Sequence, residues 1–198
     1  MRSAQHFEKW SHTYEHSFLQ RLFFDRIHAA VLAAMAGEST PGTVLDVGCG
    51  TGRLLRAIQR RWPAASFLGI DPTVGMIAVA QRLAPDMTLC VAAAERIPLE
   101  AESVDVVVST MSFHHWTDKS VALNEIARVL RPGSRLFLVD HTVPRWLRWI
   151  NIKKMPSPPK VGVLMTTAGL SVVRQVALRP RWIWLIVAEK PEKKASIS

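Results

Sequence analysis

The nonapeptide Val44-Leu45-Asp46-Val47-Gly48-Cys49-Gly50-Thr51-Gly52 decides how this chain is read. A short apolar run ends in a carboxylate, glycines follow at alternate positions, and Arg53-Leu54-Leu55-Arg56-Ala57-Ile58 then opens with helical spacing. Strand, tight turn and helix N-terminus in that order let backbone come unusually close to a ligand. Two nucleotide-binding alternatives fail on what is missing. A dinucleotide fingerprint starting at Gly48 needs Gly or Ala at position 53, where Arg53 stands, and the Gly-Lys-Ser/Thr ending of a phosphate loop is absent. Without a ligand, three glycines at a helix start would cost roughly 0.5–1 kcal/mol apiece for no return.

Further along, Ser66-Phe67-Leu68-Gly69-Ile70-Asp71 is a second apolar run ending in an acid. In a βαβ unit, an acid at the tip of the second strand faces the same crevice as the first turn, where it can accept hydrogen bonds from two ribose hydroxyls. Pro72 ends that strand, and Val74 to Leu83 reads as a helix with Met76, Ile77, Val79 and Ala80 on its buried side. Met87 to Val91 reads as the third strand. Ser103 to Ser109, nearly all apolar, reads as a fourth strand from the middle of a parallel sheet. Phe113-His114-His115-Trp116 follows its carboxyl end, and Arg135 to Asp140 reads as the fifth strand. A helix starts at Pro158-Pro159 and stops at Gly169. Ser171 to Ala177 and Trp182 to Ala188 then close the chain as an antiparallel pair around Arg179-Pro180.

The Asp-x-Gly-x-Gly-x-Gly pattern resembles the first motif of class I S-adenosylmethionine-dependent methyltransferases. That cofactor has no phosphate, so the loop need only let a methionine tail and a ribose pack against backbone. Three further segments are similar to the ubiquinone/menaquinone-biosynthesis (type 11) group of that family: Ala92-Ala93-Ala94-Glu95-Arg96-Ile97-Pro98-Leu99, Asn124-Glu125-Ile126-Ala127-Arg128-Val129-Leu130-Arg131-Pro132-Gly133, and His6-Phe7-Glu8-Lys9-Trp10-Ser11-His12-Thr13-Tyr14. The resemblance implies an α/β fold, a Rossmann-like doubly wound, mostly parallel seven-stranded sheet with an antiparallel C-terminal strand. It implies S-adenosylmethionine as cofactor, held by Asp46, Gly48, Cys49, Gly50, Gly52, Asp71, Pro72, Met76, Ala94, Glu95, Ser109 and Tyr14, and no metal. Asp71 is implied to bind ribose and Met76 to lie near adenine. One position departs from the pattern: relatives carry Asp where Ala93 stands, and an alanine offers the adenine amino group no acceptor. Losing one such hydrogen bond is worth about 0.5–1.5 kcal/mol, which weakens cofactor binding without abolishing it.

Length and composition suit one domain over residues 1–190: an N-terminal helical segment (1–40), a cofactor-binding core (41–142), and a shortened lid with closing helix and strands (143–190). A disordered tail (191–198) follows. The apolar share is 48%, ordinary for a buried core. No apolar run approaches a membrane span, no signal peptide is evident, and Cys49 and Cys90 form neither a disulfide framework nor a metal-ligand spacing, so a cytoplasmic protein is expected.

Charge is uneven. The net charge is +9, yet the stretch from His141 to Ala188 contains no Asp or Glu while carrying Arg145, Arg148, Lys153, Lys154, Lys160, Arg174, Arg179 and Arg181. Trp146, Trp149, Trp182 and Trp184 occupy the same stretch. Cations interleaved with tryptophan suit a peripheral contact with an anionic membrane surface and, less well, nucleic acid. Exposed tryptophans also suit a homodimer contact. Arg145-Trp146-Leu147-Arg148-Trp149-Ile150 is expected to dock against a lipid or a large substrate that completes a reduced lid.

In-line methyl transfer from a sulfonium is mostly positioning, and a general base is needed only if the acceptor still carries its proton. His114 and His115 after strand four, and His141 after strand five, are the candidate catalytic residues because they stand at the ligand edge of the sheet. The reading is methyl transfer to a small-molecule or lipid-like acceptor. The alternatives are a catalytically weak cofactor-binding interaction protein and an RNA methyltransferase using the basic C-terminal region.

Overall fold

The computed structural model describes residues 18–142, 156–179 and 182–192. Its elements run α1 (Phe18–Ala34), β1 (Thr43–Val47), α2 (Arg53–Gln59), β2 (Ser66–Asp71), α3 (Val74–Leu83), β3 (Thr88–Val91), β4 (Val104–Thr110), a 3-10 turn (Phe113–His115), α4 (Lys119–Val129), β5 (Leu130–His141), α5 (Pro158–Thr167), β6 (Ser171–Ala177) and β7 (Ile183–Glu189). The strands form one seven-stranded sheet in the order β3-β2-β1-β4-β5-β7-β6. β1 pairs in parallel with both β2 and β4, β4 pairs in parallel with β5, and β7 runs antiparallel to β5 and β6. Strand order reverses between β1 and β4. In a doubly wound sheet the crevice at that reversal, beyond the carboxyl ends of the strands, is where ligands bind.

Alternation along each strand splits the core into two layers. Leu45, Val107, Leu136 and Ile186 face a cluster closed by Ile126 of α4 and Met165 of α5. Val44, Val106, Phe137 and Leu185 face the opposite cluster, closed by Ile27 of α1 and Leu55 of α2. Both layers are dry, and the strand tips they carry are therefore fixed in place.

The Pro132-Gly133 turn expected before strand five is absorbed into β5 itself. Val104 pairs with Leu130 and Val106 with Arg135, so the intervening residues bulge, and Gly133 takes φ 78°. The Gly133 N–H donates to the Lys190 carbonyl at 2.7 Å. The expected lid and the docking segment 145–150 lie mostly or wholly outside the described residues, as does Tyr14 with the whole N-terminal motif 6–14.

Candidate functional site

The turn after β1 is built by three left-handed glycines, Gly48, Gly50 and Gly52, at φ 78°, 53° and 74°. At Gly48 a side chain is also excluded by space, because a Cβ there would lie 2.4 Å from the Ser112 Cβ. The turn is pinned to the neighbouring strand tip. The Gly48 and Cys49 N–H groups donate to the Ile70 carbonyl at 2.8 and 3.0 Å, and the Gly50 N–H donates to Asp71 Oδ2 at 3.0 Å. Asp71 Oδ1 accepts the Thr73 N–H at 2.8 Å, which holds the carboxylate at the start of α3.

These groups wall a cavity of about 290 Å³ at the sheet's reversal point. Of the residues read from sequence, Asp46, Gly48, Cys49, Gly50, Asp71, Pro72, Met76, Ala94, Glu95 and His115 line it. Ala93, the departure from the family pattern, lines it as well. Gly52 does not; it caps α2 in the left-handed conformation, donating its N–H to the Cys49 carbonyl. Ser109 also stands apart. It is fully buried, and its hydroxyl donates to the Val47 carbonyl at 2.8 Å, tying β4 to β1. Ser112, three residues on, reaches the cavity instead and meets both the Ser109 hydroxyl and the Val47 carbonyl. Glu95 holds the loop before α4: its Oε1 accepts the Thr117 and Asp118 N–H groups.

Sequence reasoning missed one wall altogether. Phe24 and His28, one turn apart on α1, line the cavity from above the glycine turn. Burial, and then the Arg53 charge, lower the His28 pKa to about 4, so its ring is neutral at pH 7. Met111 and Ser112 follow the β4 tip directly, and that position was the available signal. Met111 takes φ 54° and its N–H donates to the Val139 carbonyl at 2.8 Å.

Asp46 is the unusual group. It is buried in the cavity wall, and its Oδ1 has no hydrogen-bond partner among the described residues. Burial, and then the Asp71 charge, push its pKa up to about 8. Asp71 is also raised by burial, although the Thr73 and Gly50 backbone N–H groups pull it back. A buried carboxylate without a partner is costly unless a cation or a donor meets it. The cavity therefore suits a ligand with a positive group for Asp46 and hydroxyls for Asp71.

A second cluster stands beside the cavity at the tips of β4 and β5. Asp140 is fully buried and accepts four N–H groups: the His114 backbone (2.9 Å), the His141 backbone (2.7 Å), and Nδ1 of both rings, each 2.9 Å from Oδ1. Burial works against its charge, but the His114 and His141 hydrogen bonds outweigh it and hold the pKa near 2. An ionised carboxylate only accepts, so each Nδ1–H donates to Asp140, and the second ring nitrogen, Nε2, is turned away from that bond. The His114 ring lies 4.6 Å from the His141 ring and 3.9 Å from that of His115, centroid to centroid. His115 lines the cavity; His114 and His141 do not.

Comparison with known proteins decides the family. The methyltransferase domain model Methyltransf_11 matches residues 45–138, the stretch from β1 to the tip of β5. That match, just under half of the chain, is to a methyltransferase domain, and the similarity is to the class I, type 11 group. A Mycobacterium tuberculosis protein named uncharacterized methyltransferase Rv3342 is 39% identical over 107 residues, 54% of this chain and 43% of that protein. The ubiquinone/menaquinone biosynthesis C-methyltransferase UbiE of Syntrophotalea carbinolica is 33% identical over 123 residues, 60% of this chain and 51% of the relative. This chain thus spans about half the length of the curated relatives it matches. Among solved structures, a chain of the complex between the Haloferax volcanii Trm112 methyltransferase activator and a methyltransferase superposes with a TM-score of 0.78 at 22% identity, covering 94% of this chain and 98% of that one. The geranyl diphosphate C-methyltransferase of Streptomyces coelicolor A3(2), solved with S-adenosyl-L-homocysteine, gives 0.73 at 18% identity over 83% of this chain and 78% of that one. These two share the methyltransferase domain's fold.

Proposed function

We propose that this chain transfers a methyl group from S-adenosylmethionine to a small-molecule or lipid-like acceptor. The observation that carries the reading is the buried Asp46 side chain, whose Oδ1 has no partner among the described residues, in the wall of a glycine cradle. S-adenosylmethionine is cationic and bears ribose hydroxyls, so it matches both the orphaned acid and Asp71. When bound, it supplies an activated methyl group on a sulfonium.

The chain's own residues then position and shield. Gly48 and Gly50 give the ligand access to backbone, Asp71 and Pro72 border the ribose side, and Met76, Ala93 and Ala94 supply the apolar adenine side. Glu95 spends Oε1 on the Thr117 and Asp118 backbone, which leaves Ala93 without an evident substitute on that oxygen. Arg128 donates to the Leu99 and Ile97 carbonyls at 2.7 and 2.9 Å and to Glu125, and so clamps the 92–99 loop onto α4. For an acceptor that still carries its proton, the proposed base is Nε2 of a neutral His141 or His114, beside the cavity rather than in its wall, with Asp140 holding Nδ1 of each ring.

Relatives carry names with different acceptors: UbiE is a C-methyltransferase, and a Methylococcus capsulatus relative 38% identical over 99 residues is named malonyl-[acyl-carrier protein] O-methyltransferase. The acceptor atom is therefore settled by assay. Calorimetric titration with S-adenosylmethionine and its demethylated product tests the cofactor, and absence of heat and of a thermal shift at millimolar ligand overturns the reading. Labelled-methyl transfer onto the lipid, RNA, protein and small-molecule fractions of a cell extract tests the acceptor class. Label in the RNA fraction alone would replace the proposal by the nucleic-acid alternative.

A further inference from the structure

Helix α1 has two working faces. Phe24 and His28 face the cofactor cavity, while Leu22, Phe23, Arg26 and Ile27 face a separate groove of about 270 Å³, closed on its far side by Leu178 and Arg179 of the β6–β7 connection. The two concavities share no lining residue. The groove floor is apolar: Ile27 and Ile183 are buried there, and Ala30 keeps the helix side shallow.

Its rim is cationic. Arg26 and Arg179 are exposed, and neither has an ion-pair or hydrogen-bond partner among the described residues. The acid beside Arg26 in sequence, Asp25, is engaged at 2.8 Å by Arg53 on the cavity side. On the hairpin side no acid exists in sequence between His141 and Ala188, so Arg179 has no counter-charge from its own hairpin. Two guanidiniums without a partner among the described residues, above an apolar trough, select a ligand with an anionic head and an apolar tail. The volume stands at the lower end for small-molecule sites, which suits a single chain rather than a fused ring system. A floor without polar groups offers a nucleobase edge nothing to read.

The geometry points to a second ligand site, in which the groove between α1 and the β6–β7 connection takes an acyl chain while Arg26 and Arg179 hold its carboxylate head. This site is independent of methyl transfer and stands whether or not the cofactor reading does.

Laurate is the probe, titrated by calorimetry into the full chain, with dodecyl maltoside as the neutral-headed control. Laurate is expected to bind saturably and the maltoside not to bind. R26Q/R179Q should weaken laurate at least tenfold, and A30W, which fills the trough, should abolish binding. In both variants the far-UV circular dichroism should match wild type, which reports that they fold, and any affinity for S-adenosyl-L-homocysteine should stay within twofold. Should A30W fail to fold, the surface double variant decides alone. No saturable binding, equal binding of the maltoside, or laurate affinity unchanged in R26Q/R179Q overturns the inference. Competition between laurate and S-adenosyl-L-homocysteine also overturns it, by placing the acyl chain in the other cavity.

Discussion

Replacing Asp46 by Asn removes a charge that the empty protein holds at a disadvantage and the bound cation needs. With the Asp46 pKa near 8, ionising the carboxyl at pH 7 costs about 1.4 kcal/mol, one unit of pH. A cation that binds only the ionised form is therefore weakened about tenfold at pH 7 and about a hundredfold at pH 6. Between pH 6 and pH 7.5 the ionised fraction, and with it the affinity for S-adenosylmethionine, should rise about 25-fold. D46N should bind more weakly than wild type and show none of that rise. Folding should move the opposite way. A carboxyl raised above its unfolded value binds more protons when folded, so its contribution to stability declines as pH climbs from about 4 toward 8. D46N escapes that decline, and without ligand it should melt above wild type at pH 7.5. Isothermal calorimetry across pH and thermal unfolding without ligand read the two effects separately. A wild-type affinity flat between pH 6 and 7.5, or a ligand-free D46N that melts below wild type, would refute the reasoning.

Four other variants test the remaining parts. G48A places a Cβ 2.4 Å from the Ser112 Cβ at φ 78°, and should lose about 2–5 kcal/mol in urea unfolding; S112G alongside it should recover the contact share but not the backbone share. H141A should lower turnover more than cofactor affinity, with equal losses marking a merely structural residue. D140N, which removes the carboxylate that fixes both rings, should lower stability by about 2 kcal/mol at pH 7, and the gap to wild type should close as pH falls from about 4 toward 2, where the depressed Asp140 protonates. R128M frees the Ile97 and Leu99 carbonyls and should loosen the adenine-side loop, seen as faster amide exchange over 94–99 and a cofactor affinity lower by roughly tenfold.

The sheet was legible because its signals are local. Asp46 and Asp71 mark strand tips, Val74 to Leu83 and Ser171 to Ala177 match their observed elements end to end, and the prolines at 158 and 159 start α5 where expected. The site was legible only where one strand tip defines it. Phe24 and His28 come from a helix far away in sequence, and nothing in their spacing says which of two cavities they face. Ser109 was read as a site residue, but within β4 it points inward to the Val47 carbonyl, while Ser112, past the end of the strand, reaches the same carbonyl from the crevice. His114 and His141 were visible as candidates, but their shared grip on Asp140 needs the β4–β5 pairing to bring them together. The bulge at Gly133 depends on Lys190, near the far end of the described chain, and no local reading reaches it.

Helix α1 is a partition between two chambers, and a partition cannot shift toward one tenant without altering the room left for the other. Arg26 on one side and Phe24 and His28 on the other are carried by the same helix, so they move together or not at all. Reciprocity of linked equilibria makes whatever influence passes from the first chamber to the second equal in the reverse direction, and its carrier would be a single seventeen-residue rod rather than a relay through the sheet.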